Sequence, residues 1–253
     1  MQGIGVGKEK KVSFSYQLYK ILWKSLDQVF PPECSGCHRK GYRWCPECQA
    51  KVEIIGSRVC PICGNPQNQT TKCNNCKQSE PPYRGLRSWA IFKSPLREAL
   101  HQLKYRKNLG LGESLAEPLV GILSDLKWQI DLVVPVPLSK ARLKERGYNQ
   151  AALLARPVSM ALSLPYSDSG LLRIKESRSQ VGLSIDDRKR NVEDVFSSVS
   201  KVVANRQVLI VDDVTTTGAT IEACARAVIA SGASKVYGIT LARAVLGSHL
   251  AVS

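Results

Sequence analysis

The sequence predicts an α/β protein, in which a parallel sheet flanked by helices follows a small cysteine-rich module. After residue 83, short apolar runs alternate with segments of helical periodicity, a pattern typical of a parallel sheet with helical crossovers. Nearer the amino terminus, eight of the nine cysteines lie in four CxxC pairs. The chain of 253 residues is long enough for one large domain and a small one.

The bulk properties limit the classes of protein to which the chain can belong. The formal net charge of +15 favours a polyanionic partner. No apolar run approaches the length of a membrane span, so we expect none. The first residues, MQGIGVGKEKK, lack the apolar core of a secretory signal, and we therefore expect a cytoplasmic protein.

Residues 1–33 are predicted to form a tail and one amphipathic helix. The helix is expected from Phe14 to Phe30, and Pro31 and Pro32 end it. Its apolar positions are Phe14, Leu18, Ile21, Leu22, Leu26 and Val29. Such a helix binds a membrane surface or a partner, or packs on its own protein. We favour packing on the protein, because basic amphipathic faces are common on ordinary helices.

Residues 34–80 are predicted to form a double zinc-binding module. The four pairs are Cys34 with Cys37, Cys45 with Cys48, Cys60 with Cys63, and Cys73 with Cys76. Eight thiolates are enough for two closed tetrahedral sites, which leave no open position for catalysis and are therefore structural. A thioredoxin-like site would have one CxxC in a βαβ unit, and disulfides would need an oxidising compartment. Sequential pairing of the CxxC motifs is the simplest arrangement, but the spacing leaves crossed pairing open.

Basic and aromatic residues lie on or near the first two CxxC pairs. They are Arg39, Lys40, Tyr42, Arg43 and Trp44. This mixture suits single-stranded nucleic acid, through phosphate contacts and base stacking. A solvated face with one packed Trp explains the same composition equally well.

The larger domain is predicted over residues 83–245, after the short linker SEPP. Strands are expected over 89–92, 131–136, 171–174, 208–211 and 235–242. Helices are expected from Leu96 to about residue 108, over 115–126 and 148–162, and from about Ile221 to Gly232.

The stretch VLIVDDVTTTGAT, residues 208–220, carries the strongest chemical signal. A buried strand ends in Asp212 and Asp213, and a turn of small residues then enters a helix. Adjacent carboxylates suit a vicinal diol, or a metal that bridges a diol and a pyrophosphate. The turn and the helix start suit a phosphate monoester. The turn is formed by Thr215, Thr216, Thr217, Gly218, Ala219 and Thr220. A ligand that carries both a vicinal diol and a phosphate monoester is a ribose 5-phosphate. A Walker A loop is excluded, because no Gly-Lys-Ser/Thr follows the glycine.

Two polar segments lie near the ends of predicted strands. The first follows the strand at 131–136 and offers Ser139, Lys140, Arg142, Arg146, Asn149 and Gln150. The second, residues 173–196, is sparse in apolar residues and includes Arg178, Gln180, Ser184 and Arg188. The second segment resembles a mobile lid over a site, although a solvated loop has the same composition.

The 208–220 segment resembles the binding motif for 5-phosphoribosyl 1-pyrophosphate (PRPP) of type I phosphoribosyltransferases. The resemblance implies a type I phosphoribosyltransferase fold. It implies that Asp212 and Asp213 bind the ribose hydroxyls, with Mg2+, and that residues 215–220 bind the 5-phosphate. It also implies that Ser139, Lys140, Arg142, Arg146, Asn149 and Gln150 form a pyrophosphate loop, and that Arg178, Gln180, Ser184 and Arg188 belong to a flexible loop.

The combination of segments resembles the ComF family of competence proteins, which joins a zinc ribbon to a phosphoribosyltransferase domain. The matching segments are the CxxC pairs, LKYRKN, DLVVPVPLS, RGYNQA, RSQVGLS, DRKRNV and VLIVDDVTTTGAT. The resemblance implies a part in DNA uptake and transformation, with proteins of the uptake machinery as partners. It leaves two interpretations open, a phosphoribosyltransferase or a protein without turnover that senses PRPP or binds single-stranded DNA.

Overall fold

The computed structural model describes residues 14–175 and 195–245, and the central sheet in these ranges has four parallel strands. They are β1 (Gly85–Ile91), β2 (Leu132–Pro135), β5 (Gln207–Thr215) and β6 (Lys235–Arg243). The strand order is β1-β6-β5-β2, so β5 lies inside the sheet, between β6 and β2. The predicted α/β class and parallel sheet are confirmed, and the acidic motif lies on an interior strand.

Nine described helices accompany the strands. In chain order they are α1 (Phe14–Val29), α2 (Pro46–Ala50), α3 (Asn74–Gln78), α4 (Leu96–Tyr105), α5 (Leu111–Asp125), α6 (Lys140–Arg146), α7 (Gln150–Ala161), α8 (Ser200–Val203) and α9 (Ala219–Ala230). The short helices α2, α3, α6 and α8 are not among the predicted elements, because helices of one or two turns are too short to carry a periodic signal.

Both faces of the sheet are covered, because successive side chains of a strand point to opposite sides. Leu209 and Val211 of β5 pack with α4, α5 and α7 in one core. Val208 and Ile210 of the same strand pack with α9 in a second core. The strands are buried on both faces, which explains why they appear in the sequence as continuous apolar runs.

A separate two-stranded antiparallel ribbon lies beside α9. It consists of β3 (Leu171–Arg173) and β4 (Phe196–Ser198), and Leu171 and Phe196 are buried in the α9 core. The predicted strand at 171–174 is therefore confirmed, but it does not join the parallel sheet. The predicted flexible-loop residues Arg178, Gln180, Ser184 and Arg188 lie outside the described residues.

Helix α1 packs on the protein through the face opposite to its apolar stripe. Tyr16 is 5% exposed and its hydroxyl donates to Glu113 Oε1 at 3.4 Å, whereas Phe14 and Ile21 are 81% and 58% exposed. Lys20 Nζ lies 3.8 Å from Glu113 and 3.5 Å from Glu117. The helix is confirmed, and aromatic and charged contacts with α5 decide which face is buried. Within the described ranges, no helix is long and apolar enough to span a membrane.

The segment that joins the two halves of the cysteine module is held to the sheet by direct hydrogen bonds. Ile55 N–H donates to Trp89 O at 2.9 Å, and Ile91 N–H donates to Glu53 O at 2.8 Å. Residues 53–55 therefore cover the outer edge of β1. Leu86 N–H donates to Ile62 O at 2.7 Å, which attaches the second half of the cysteine module to the same strand.

Gly64 of the module packs against the backbone of β1. Its φ is +68°, and a Cβ atom there would lie 2.3 Å from the carbonyl oxygen of Leu86. We expect Gly64→Ala to lower the free energy of unfolding by more than the roughly 1–2 kcal/mol that a left-handed conformation costs a residue with a side chain. The loss should be larger because the added Cβ also clashes with backbone. The matched control is Gly41→Ala, where φ is +84° and nothing lies within 4 Å. Thermal unfolding of the zinc-loaded proteins tests this, and equal losses in both variants would contradict it.

Candidate functional site

The eight paired cysteines form two clusters. The sulfurs of Cys34, Cys37, Cys45 and Cys48 lie within 4.8 Å of one another, and so do those of Cys60, Cys63, Cys73 and Cys76. Two of the contacts, Cys37 with Cys45 and Cys63 with Cys73, measure 3.6 Å between sulfurs. Four sulfurs about 2.3 Å from one zinc ion are separated by about 3.8 Å, so each cluster fits a tetrahedral zinc site. The grouping is sequential, as in the simpler of the two arrangements.

Electrostatics in the clusters also favour a bound cation. Burial opposes ionisation of Cys34, but N–H groups of Gly36 and Cys45 lower its pKa to about 6. Burial and the neighbouring sulfurs raise the pKa of Cys48, and the same causes act on Cys76 in the second cluster. Four thiols at this distance do not all ionise unless a cation compensates their charge.

The two halves of the module repeat the same backbone pattern. Cys34 N–H donates to Arg39 O at 2.8 Å, and Cys60 N–H donates to Asn65 O at 2.9 Å. The left-handed residue of the tight turn is Gly64 in the second half and His38, with φ 63°, in the first. The ninth cysteine, Cys224, is fully buried on α9 and belongs to neither cluster, as its position on an apolar helix face predicts.

The acid pair ends an interior strand and is almost fully buried. Asp212 is 8% exposed and Asp213 is 4% exposed. Asp212 Oδ1 accepts a hydrogen bond from Asp213 N–H at 2.9 Å. Burial, and then the charge of Asp213, raises the pKa of Asp212 well above its usual range. Burial of two acids at the carboxyl edge of a parallel sheet costs free energy unless a ligand or a counter-ion compensates their charge.

Asp213 has contacts that the sequence analysis did not predict. Lys104 Nζ of α4 forms an ion pair with Asp213 Oδ2, and Gln150 Nε2 of α7 donates to Asp213 Oδ1 at 3.2 Å. Arg146 Nη1 donates to Gln150 Oε1 at 2.9 Å and Arg146 Nη2 to the hydroxyl of Tyr105 at 3.3 Å. Lys104 and Tyr105 belong to the segment LKYRKN, which is the sequence feature that could have indicated these contacts.

The turn after the acids enters α9 with most of its small residues exposed. Thr216, Thr217, Ala219 and Thr220 are exposed, whereas Thr215 and Gly218 are buried. Gly218 has φ 90° at the start of the helix, and no side chain caps that start. Thr217 Oγ1 accepts from Ala219 N–H at 3.4 Å. The first turn of α9 therefore presents backbone N–H groups and hydroxyls to an incoming anion.

The six residues predicted for the pyrophosphate loop differ in their exposure and in their contacts. Lys140 and Arg142 are exposed on α6. Ser139 caps the start of that helix, and its hydroxyl accepts from Arg142 N–H at 3.3 Å. Arg146 and Gln150 are 9% and 6% exposed; Gln150 contacts Asp213, and Arg146 contacts Gln150. Asn149 caps α7 and donates to Val136 O at 2.9 Å. Binding of pyrophosphate by this loop stays a prediction.

Arg243 connects the second cysteine cluster to the small-residue turn. It ends β6 and is 3% exposed. Arg243 Nη2 donates to Cys63 O, and Arg243 Nη1 donates to Thr216 O at 3.3 Å. A cleft of about 800 Å³ opens beside it, between the turn and the second half of the module. No motif singled out Arg243, because its role depends on contacts between residues distant in the sequence.

Several residues of the basic and aromatic group near the first cluster have partners within the protein. Arg39 pairs with Glu47, and Arg43 pairs with Asp27 and donates to Asn108 Oδ1 at 3.0 Å. Trp44 is half-buried and donates to Gln49 Oε1. Lys40 and Tyr42 are exposed. The contacts of Arg39, Arg43 and Trp44 agree with the interpretation as a packed and solvated face. Binding of single-stranded DNA by this group stays a prediction.

Comparison with known proteins gives matches in both parts of the chain. Residues 25–77 match the double zinc ribbon domain, and residues 144–245 match the phosphoribosyl transferase domain. These spans fall mainly in the predicted 34–80 module and the predicted 83–245 domain, whose boundaries stay predictions. The fold is that of a type I phosphoribosyltransferase with an amino-terminal zinc ribbon.

Similar proteins cover most of the chain. Competence protein F of Haemophilus influenzae is 30% identical over 220 residues, which are 83% of this chain and 90% of that protein. The DNA utilization protein YhgH of Escherichia coli (strain K12) is 32% identical over 191 residues, 73% of this chain and 84% of that protein. Competence protein ComFC of Bacillus subtilis is 27% identical over 231 residues, 88% of this chain and 90% of that protein. The chain therefore belongs to the ComF family of competence proteins, in which a double zinc ribbon precedes a phosphoribosyltransferase domain.

Proposed function

We propose that this protein binds PRPP together with Mg2+ and acts in DNA uptake. The observation that carries the proposal is the buried acid pair of β5, followed directly by the exposed small-residue turn that enters α9. The names of its relatives, competence protein and DNA utilization protein, support the second part of the proposal.

Each part of PRPP has a matching group of residues. The 5-phosphate is assigned to the turn, where Thr216, Thr217 and the first N–H groups of α9 supply donors. The ribose hydroxyls are assigned to Asp212 and Asp213, which accept hydrogen bonds. The same carboxylate oxygens are hard donors of the kind that Mg2+ takes, so the residues fit that ion. When bound, Mg2+ would supply positive charge that neutralises pyrophosphate as it leaves.

The pyrophosphate is assigned to the exposed cations that follow β2. We expect Arg142→Ala to weaken PRPP binding about three- to tenfold, because one exposed cationic contact is lost. Binding of ribose 5-phosphate should be unchanged, because that ligand has no pyrophosphate. Lys201→Ala is the matched control, since Lys201 is an exposed cation on α8. Calorimetry with both ligands measures the difference, and an equal loss for both would contradict the assignment.

Whether the bound PRPP turns over is decided by a two-step experiment. PRPP with Mg2+ is titrated calorimetrically into the zinc-loaded protein, and pyrophosphate release is then assayed on the same sample. Binding with release in the presence of an amine or base acceptor identifies a phosphoribosyltransferase. Binding without release identifies a PRPP-responsive factor. Absence of binding would overturn the proposed ligand.

A second candidate function is binding of single-stranded DNA, with PRPP as a sensed ligand and no transfer. The net charge of +15 favours it, since that charge attracts polyanions. Under this alternative, DNA affinity falls steeply with salt and changes when PRPP is added. A filter-binding or anisotropy series over salt concentration, with and without PRPP, distinguishes the two candidates. Proteins of the uptake machinery are the expected partners in both.

A further inference from the structure

Lys104 lies beside the acid pair, and the proposed function gives it no role. It sits in the last turn of α4, and its side chain is 23% exposed. Its ammonium forms an ion pair with Asp213, whose side chain is 5% exposed. Ion pairs at surfaces contribute little to stability. A cation beside a buried carboxylate, however, repels other cations that approach that carboxylate.

The position of Lys104 is held by its neighbours on α4. Leu103 is fully buried, and its carbonyl accepts a hydrogen bond from the Tyr148 hydroxyl at 2.7 Å. The ring of Tyr105 lies 4.9 Å from the guanidinium carbon of Arg146, which is itself hydrogen-bonded to Gln150. The end of α4 is thus attached on both sides of Lys104 to residues around the acid pair. The backbone of Lys104 is therefore held beside the acid pair by the contacts of its neighbours.

We propose that Lys104 is the internal counter-ion of the acid pair, and that it keeps free divalent cations away from Asp213. The inference rests on the proposed function, because it assumes that the acid pair receives a metal-bound ribose phosphate. A free divalent cation would have to approach the ammonium of Lys104 and meet repulsion. A complex of the metal with PRPP carries net negative charge, so the same ammonium attracts it. Lys104 would therefore select the metal–PRPP complex over the free metal.

The charge balance gives the size of the effect. With both acids ionised, the pair carries two negative charges, and Lys104 reduces the net charge to one. Repulsion between a divalent cation and an ammonium about 4 Å away, at the effective dielectric of a partly buried site, is enough to change affinity by at least about tenfold. Asp213 Oδ1 also accepts a hydrogen bond from Gln150 Nε2 at 3.2 Å.

The test measures binding of Mn2+ alone to the zinc-loaded protein, by electron paramagnetic resonance of the free ion. The wild type should bind Mn2+ weakly at this site. Lys104→Met should bind it at least about tenfold more tightly, because the repelling charge is gone. Lys104→Arg is the matched control, since it keeps the charge and should stay weak. Adding Asp213→Asn to Lys104→Met should remove the gain, which assigns the bound ion to the acid pair.

Two results would overturn the inference. One is equal Mn2+ affinity in the wild type and Lys104→Met, and the other is an equal gain in Lys104→Arg. Zinc content and the melting temperature confirm that each variant is folded, and Lys104→Gln replaces Lys104→Met if the latter is unstable.

A PRPP–Mg2+ titration of the same samples separates this inference from the proposed function. A wild type that binds PRPP, with no Mn2+ gain in Lys104→Met, rejects only the role of Lys104. A wild type that does not bind PRPP, with a clear Mn2+ gain in the variant, rejects only the proposed ligand.

Discussion

Replacing Asp212 and Asp213 together with Asn is expected to weaken PRPP binding at least about 100-fold, which corresponds to about 2.7 kcal/mol. Each hydrogen bond to a charged group contributes about 1.5–3 kcal/mol, and the double variant loses the charge of two acceptors. Asn has nearly the same size as Asp, so the interior strand β5 should keep its packing. The loss therefore reports the missing carboxylates and not a collapsed sheet.

Calorimetric titration of PRPP with Mg2+ measures this loss, and zinc content shows that the amino-terminal module is intact. Asp168→Asn is the matched control, because the Asp168 side chain is 61% exposed and paired with Arg156 at 3.1 Å. That variant should bind PRPP like the wild type. Normal PRPP binding by the double variant would show that the ligand site has been assigned to the wrong residues.

Removing one cluster cysteine is expected to remove one zinc ion and to unfold half of the amino-terminal module. Structural zinc contributes about 10–16 kcal/mol of apparent binding free energy to small domains of this kind, far more than a short ribbon with few buried apolar residues can supply. The wild type should hold two zinc ions, one for each described cluster. Cys48→Ala and Cys76→Ala should each hold one, and the combined variant none. Cys224→Ala is the matched control and should hold two, because Cys224 lies in the α9 core.

The two cluster variants should also differ from each other in ligand binding. Cys76 belongs to the cluster whose Cys63 carbonyl holds Arg243, and Arg243 donates to Thr216 in the small-residue turn. Cys76→Ala should therefore weaken PRPP binding several-fold, whereas Cys48→Ala should change it less. Elemental analysis of zinc and calorimetry on the same preparations measure both effects. Two zinc ions retained in Cys76→Ala would contradict the assignment of that cluster, and equal ligand affinities would contradict the link through Arg243.

Features that depend only on neighbouring residues in the chain could be predicted from the sequence. Two cysteines three positions apart can reach one metal ion, so Cys60 and Cys63 identify a zinc ligand pair without any knowledge of the fold. The strand, acids, turn and helix of residues 208–220 are also local, because the change from strand to helical periodicity is visible in the sequence. Continuous apolar runs indicate strands that are buried on both faces, and such strands are typical of a parallel sheet.

Features that depend on contacts between distant segments could not be predicted and became visible only in the folded protein. Lys104 meets Asp213 because α4 and β5 are neighbours in the fold, and periodicity carries no information about such a contact. The same holds for Arg243, which joins the turn to the second cysteine cluster. Helix α1 is the clearest case: its apolar stripe is evident in the sequence, but Glu113 of α5 attracts Tyr16 and Lys20, and their side of the helix is buried instead. Local pattern specifies elements and metal ligands, whereas contacts across the fold specify how they are arranged around the site.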